Sequence, residues 1–142
     1  DYRGLRGLGQ SAVVLSTGDP MLSGLGYLQG EVEPGISSLQ LALARLRIPW
    51  TRAAVISAHG RDHAMAMDAA AGAIMREQVA FLIADPTFPI PALAATLAPL
   101  GSNIRIAVCE DLGYPGERIS FGTAGAPPSP VSSLFVVLAG RF

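Results

Sequence analysis

Short apolar runs rich in Val, Ile and Ala alternate with Ala- and Leu-rich stretches of helical spacing, and most runs end in a polar turn. This alternation predicts an α/β fold with a parallel or mixed sheet and covering helices. The runs 11–16, 53–58, 78–84, 104–109, 119–121 and 134–139 read as strands, and 31–33 as a short extended piece stopped by Pro34-Gly35. The best-signalled helix starts at Ser37. Gln40 lies three residues on and completes a capping box, and Leu39, Ala42, Leu43 and Leu46 then form one apolar stripe. This helix must stop before Pro49. A second helix, capped by Asp62, runs to about Arg76 with Met67, Ala71, Ile74 and Met75 as its core side. Pro91 starts a third, which Pro99 and Gly101 end. Segment 110–118 reads as a polar turn. The seam falls at 48–51 and divides the chain into an N-terminal lobe, 1–50, and a C-terminal lobe, 51–142.

Composition narrows the function classes. Of 142 residues, 50% are hydrophobic and 15% charged, and mean hydropathy is +0.41; disorder is excluded and some apolar surface is expected to be covered by a partner. A net charge of −1 leaves no electrostatic footprint for nucleic acid or an anionic membrane. All ten basic residues are Arg, so lysine chemistry such as a Schiff base is ruled out. The lone Cys109 excludes an internal disulfide and a cysteine-built zinc site. No run reaches membrane-spanning length, and the expected localisation is cytoplasmic.

Several motif matches fail on context. Gly7-Leu8-Gly9-Gln10-Ser11-Ala12 precedes a strand, whereas a dinucleotide fingerprint must follow one. Gly24-Leu25-Gly26 is misspaced to Gly30, and Gly35-Ile36-Ser37-Ser38-Leu39 lacks the last glycine of a nucleophile elbow. His59 and His63 supply two nitrogens, too few for a metal site, so no metal is expected. Four polar strand ends remain, on the side where open α/β sheets bind ligands: Thr17-Gly18-Asp19-Pro20, His59-Gly60-Arg61, Ala84-Asp85 and Glu110-Asp111-Leu112. Asp19-Pro20 and Asp85-Pro86 also suit ordinary turns, and Ser37 an ordinary cap. A helix start at Ser37 nonetheless offers free N–H groups to a carboxylate, and Arg61 is placed to hold an acidic ligand.

Ser16-Thr17-Gly18-Asp19-Pro20-Met21, followed by Glu31-Val32-Glu33-Pro34-Gly35-Ile36-Ser37-Ser38-Leu39-Gln40, resembles the paired signature of the tetrapyrrole methylases. Ser57-Ala58-His59-Gly60-Arg61 and Cys109-Glu110-Asp111-Leu112-Gly113-Tyr114-Pro115-Gly116-Glu117-Arg118-Ile119 are similar to the cobalamin-pathway branch. That branch methylates carbon 5 of precorrin-6Y or cobalt-precorrin-7. The resemblance spans nearly all of 11–138. It implies a two-lobed α/β fold and an S-adenosylmethionine-dependent C-methyltransferase, with S-adenosylhomocysteine as product and a corrinoid precursor as substrate. The family's opening strand, its V-G-x-G-P-G-D loop and its Leu-Leu-Thr segment have no match here. The N-terminal lobe is therefore expected to be incomplete, with part of the cofactor and substrate site missing from the chain as written.

The resemblance carries cofactor contacts onto Thr17, Gly18, Asp19, Leu22, Ser37, Ser38, Ala84 and Leu112. Arg61 and Arg118 are expected to clamp substrate carboxylates, and His59 to orient the ring or move a proton without being an obligatory base. An activated methyl donor needs no metal and no covalent nucleophile. The resembling family forms homodimers, which agrees with the weakly polar helical stretches 39–46, 64–75 and 92–100. Association or fusion with the decarboxylating carbon-15 methyltransferase is a further expectation. Rival readings are a diphthine-synthase or ribosomal-RNA type of methylase, a truncated non-catalytic lobe, and a Ser/His hydrolase using Ser57 or Ser37 with His59. The neutral-to-acidic composition disfavours RNA. The hydrolase lacks both the elbow glycine and an orienting acid.

Overall fold

A computed structural model describes residues 12–142, and the chain forms two compact units, Asp1–Leu41 and Ala42–Phe142. In the first unit, residues 12–37 are turns and irregular chain. The turn at 19–25 is closed by Ser23 N–H donating to the Asp19 carbonyl (3.2 Å) and Leu25 N–H to the Pro20 carbonyl (3.0 Å). The expected strand 11–16 does not form within the described residues. Val13 and Leu15 are each 85% exposed. An apolar run becomes a strand only when a neighbour completes its hydrogen-bond ladder, and no described strand lies within this unit. The extended piece 31–33 is likewise exposed and unpaired in any ladder. The rejected glycine fingerprint at 7–12 lies, apart from Ala12, outside the described residues.

Helix α1, Ser38–Leu46, begins on the predicted capping box. Ser37 N–H donates to Gln40 Oε1 (2.5 Å), and Gln40 N–H donates to Ser37 Oγ (3.3 Å), so two otherwise orphaned helix-start donors are satisfied reciprocally. Ala42 and Leu43 are buried on its stripe, and Arg47 (φ 55°) ends it.

The second unit holds a five-stranded mixed sheet. Its elements are β1 (Ala53–Ser57), α2 (His63–Met75), β2 (Val79–Ile83), α3 (Ile90–Leu97), β3 (Arg105–Glu110), β4 (Arg118–Thr123) and β5 (Phe135–Gly140), in the spatial order β1-β2-β5-β3-β4. β1 and β2 are parallel, joined by α2 as a crossover; β5 lies antiparallel to both β2 and β3, and β4 antiparallel to β3. β5 is buried throughout because it is central and covered on both faces.

Asp62 caps α2, its Oδ1 accepting from Ala64 N–H at 2.8 Å. α2 and α3 pack on one face of the sheet. Ala66, Met67, Ala70, Ala73 and Ile74 of α2 and Ile90, Leu93, Ala94 and Leu97 of α3 meet Ala80, Leu82, Ile106, Val108, Val137 and Ala139. Met75, expected on this core side, is 66% exposed. The buried stripe is phased on Ala66/Ala70/Ala73, because small side chains let the helix sit close to the sheet and turn Met75 outward. On the opposite face Val79, Phe81, Ala107, Cys109 and Leu138 are buried as well. Burial pushes the Cys109 thiol up to about 12, which leaves it inert at neutral pH.

Candidate functional site

Because β5 runs against both β2 and β3, strands β1, β2 and β3 point the same way. Their carboxyl ends therefore share one edge of the sheet, which also receives the starts of β4 and β5. Open α/β sheets bind ligands at such an edge. It gathers His59, Arg61, Ala84, Leu112 and Arg118, five of the residues singled out in the sequence, all in the second unit.

The loops after β1 and β2 are tied by Asp85. The parallel register Ser57↔Ile83, carried two residues further, sets position 59 beside 85 and brings the next residue, Gly60, within reach of the Asp85 side chain. Asp85 Oδ2 accepts from His63 Nε2 (2.9 Å) and from Gly60 N–H (3.4 Å), and Oδ1 accepts from Thr87 N–H (2.9 Å) and Thr87 Oγ1 (2.5 Å). The Thr87 hydroxyl first, then His63, hold its carboxyl well below the usual carboxylate range. His63 opens α2 and sets its ring edge-on against Phe88, with centroids 5.2 Å apart. Gly60 takes φ +62°, a left-handed conformation suited to glycine, so the chain turns sharply between His59 and Arg61. Both flanking residues are exposed, and Arg61 makes no ion pair among the described residues.

Beyond β3 the edge is organised by Glu110, whose side chain is 1% exposed. Its Oε1 accepts from the N–H groups of Val131 (2.6 Å) and Ser132 (2.8 Å), and its Oε2 pairs with Arg118 Nη2 at 2.6 Å. Burial opposes ionisation of Glu110, but the Ser132 and Val131 donors and the Arg118 guanidinium together outweigh it and hold the carboxyl below its ordinary value. Asp111, in the left-handed region at φ 48°, accepts from Ser132 Oγ at 2.9 Å. Segment 129–134 is thereby strapped to the edge beside the half-buried Leu112.

Arg118, read at the end of a polar turn, opens β4 directly opposite Glu110. Its guanidinium is taken up by Glu110 and by the Ser129 carbonyl (3.3 Å). The reason is the antiparallel ladder, which brings an acid and a base face to face across neighbouring strands. Arg61 is the free guanidinium here. Glu117, four residues past the Gly113 N–H that it accepts (2.9 Å), pairs with Arg45 at 2.6 Å.

In the first unit the structure brings the turn 17–22 against the start of α1. Asp19 Oδ1 accepts from Met21 N–H (2.8 Å) and Leu22 N–H (3.2 Å), and Oδ2 from Gly35 N–H (3.4 Å). Gly18, at φ +71°, lies against Ile36 and Ser37. Thr17 and Gly18 are exposed, Leu22 and Ser38 half-buried, and Ser37 is buried by its cap.

The hydrolase reading finds no geometry. Ser37 Oγ is held by Gln40, and neither Ser57 nor Ser37 is hydrogen-bonded to His59 among the described residues. No group of three His, Cys, Asp or Glu side chains among the described residues stands close enough for a metal ion, and no described helix is long and apolar enough to cross a membrane. The sequence reading missed the His63–Asp85 pair and the burial of Glu110. The signals were there in outline: His63 follows a helix cap, Asp85 follows a strand, and parallel neighbours bring such positions together.

Known proteins resemble this chain in sequence and in fold. A segment of 58 aligned residues is 41% identical to the probable cobalt-precorrin-7 C(5)-methyltransferase of Methanocaldococcus jannaschii, covering 34% of this chain and 28% of that protein. The crystal structure of the precorrin-6Y methylase from Archaeoglobus fulgidus matches with a TM-score of 0.61 at 28% identity, over 88% of this chain and 60% of that one. The uroporphyrin-III-C-methyltransferase of Thermus thermophilus, solved with S-adenosylhomocysteine, matches in fold with a TM-score of 0.57 at 18% identity, over 87% of this chain and 63% of that one. The chain thus spans about three fifths of these solved proteins and a little over a quarter of the curated relative. The model of one family, the Tetrapyrrole (Corrin/Porphyrin) Methylases, matches residues 5–128, and the chain belongs to that family.

Proposed function

We propose that the protein of which this chain forms part transfers a methyl group from S-adenosylmethionine to carbon 5 of a corrinoid precursor, precorrin-6Y or cobalt-precorrin-7. The observation that carries the reading is the 41% identity with the probable carbon-5 methyltransferase, supported by the likeness to the precorrin-6Y methylase. The donor set suits the cofactor. At the start of α1 the N–H groups of Ser38 and Leu39 lie outside the capping box and can meet a carboxylate, Thr17 offers a hydroxyl, and Leu22 and Leu112 offer apolar contact. Asp19 shapes the turn rather than reaching outward, since both of its oxygens accept from backbone N–H groups. Ala84, at the end of β2, contributes its backbone.

When bound, the sulfonium supplies an already activated methyl group. The protein's task is alignment and exclusion of water. Arg61 holds a carboxylate of the macrocycle by charge-assisted hydrogen bonds, and His59 sits beside it to orient the ring. Calorimetry of the full-length protein with S-adenosylhomocysteine tests it: saturable heat is expected, and a folded protein that gives none refutes the reading.

A homodimer is the assembly we propose with it. Met65 and Met75 stand 71% and 66% exposed on α2, and Val55 is 50% exposed on the edge strand β1. Light scattering of the full-length protein at micromolar concentration is expected to give twice the chain mass; a monomer mass contradicts the assembly.

A further inference from the structure

We propose that Asp85 is a positioning residue for macrocycle binding: with His63 it fixes the His59-Gly60-Arg61 turn in the conformation that presents Arg61 to a substrate carboxylate. The inference rests on the functional reading above and adds a residue to it. Asp85 is the point where two loops of the ligand edge are joined. One oxygen holds the loop after β1 through Gly60 N–H and His63 Nε2. The other holds the loop after β2 through both donors of Thr87.

Four donors converge on one carboxylate, so its charge is satisfied within the protein and it has no need to meet a ligand itself. Its contacts to residue 60 and to the first residue of α2 bracket Arg61 on both sides in sequence. Arg61 carries no partner of its own among the described residues, so nothing but its backbone fixes where the guanidinium starts. Gly60 is exposed, and a Cβ there would stand in open space. The polar tie from Asp85 is what remains to hold the turn. His63 is in turn held by the Phe88 ring, which gives Asp85 a rigid donor. Loss of the tie lets Arg61 wander, which weakens capture of an anionic substrate while leaving the cofactor's own contacts in place.

The test is steady-state methyl transfer by the full-length protein with S-adenosylmethionine and cobalt-precorrin-7, with calorimetry of S-adenosylhomocysteine and thermal melting in parallel. Asp85→Asn is expected to raise KM for the macrocycle by about tenfold while kcat stays within about threefold. S-adenosylhomocysteine affinity is expected to stay within about twofold. In an Arg61→Gln background the same change adds little, because both variants remove one interaction. His63→Gln, whose amide can still donate to Asp85, is expected to preserve KM better than His63→Ala. An unchanged KM in Asp85→Asn overturns the proposal. So does a parallel loss of cofactor affinity and melting temperature, which marks general loosening. Wild-type protein inert toward the macrocycle overturns the functional reading and this inference with it.

Discussion

Glu110→Ala lowers the stability of the sheet unit by about 2–3 kcal/mol, a sizeable share of what a domain of this size holds in reserve. The carboxylate is fully buried and serves four donors on two segments: the N–H groups of Val131 and Ser132, and Nε and Nη2 of Arg118. Truncation costs four hydrogen bonds, two of them in the ion pair, and leaves a void at the end of β3; the part-exposed Val131, Ser132 and Arg118 donors recover some of the loss from water. Thermal melting is expected to fall by on the order of 15 °C. Glu110→Gln keeps one oxygen for the strap but loses the charge pair, so it falls between wild type and alanine. The pH dependence has a definite sign. The folded-state carboxyl sits below its ordinary value, so its stabilisation is complete above the unfolded pKa, about 4.3. It is lost as pH falls from there through the lowered folded value. Wild type and Glu110→Gln therefore converge in acid, and a stability gap between them that widens below pH 4 would contradict the assignment.

What the sequence disclosed and what it withheld divide along a physical line. Local chemistry was legible. The Ser37/Gln40 box, the Asp62 cap and the Pro91 start each act within four residues, and each helix begins within a residue of where these signals put it. The six-residue buried runs became strands wherever a neighbour existed. Pairing was not legible, because it depends on contacts far apart in sequence. Nothing near 134–139 reveals that it enters between β2 and β3, and nothing near 11–16 reveals that its apolar side chains find no ladder among the described residues. The candidate site follows the same rule. The strand ends were identified singly, but the Asp85 bridge to His63 and Gly60 comes from parallel register, and the Glu110–Arg118 pair from antiparallel register. Neither Glu110 nor Arg118 alone signals that the ladder makes them partners.

Gly35→Ala is expected to cut S-adenosylhomocysteine affinity of the full-length protein by about 10–100-fold. A Cβ built on Gly35 would stand 2.4 Å from the carbonyl oxygen of Gly18 and 3.0 Å from its carbonyl carbon. These are backbone atoms, so no side-chain rotamer can relieve the overlap, and one of the two segments must move. Gly18 has little room to yield. Its φ of +71° already confines it, and its own Cβ position lies 3.2 Å from the Ile36 carbonyl oxygen and 3.3 Å from Ser37 Cα. The turn 17–22 and the start of α1 thus approach as bare backbone, with Asp19 Oδ2 accepting from Gly35 N–H across the gap. One added methyl group would push the proposed Thr17-Gly18 contacts, in the turn that Asp19 shapes, away from the proposed contacts at the start of α1. The five-stranded sheet, which lies within 53–140, takes no part in this contact and is expected to melt as in wild type. Gly26→Ala is the control in the same unit, because its Cβ would meet Met21 Sδ at an ordinary 3.4 Å. Calorimetry that finds the two variants equal in S-adenosylhomocysteine affinity would remove the turn and helix start from the cofactor site.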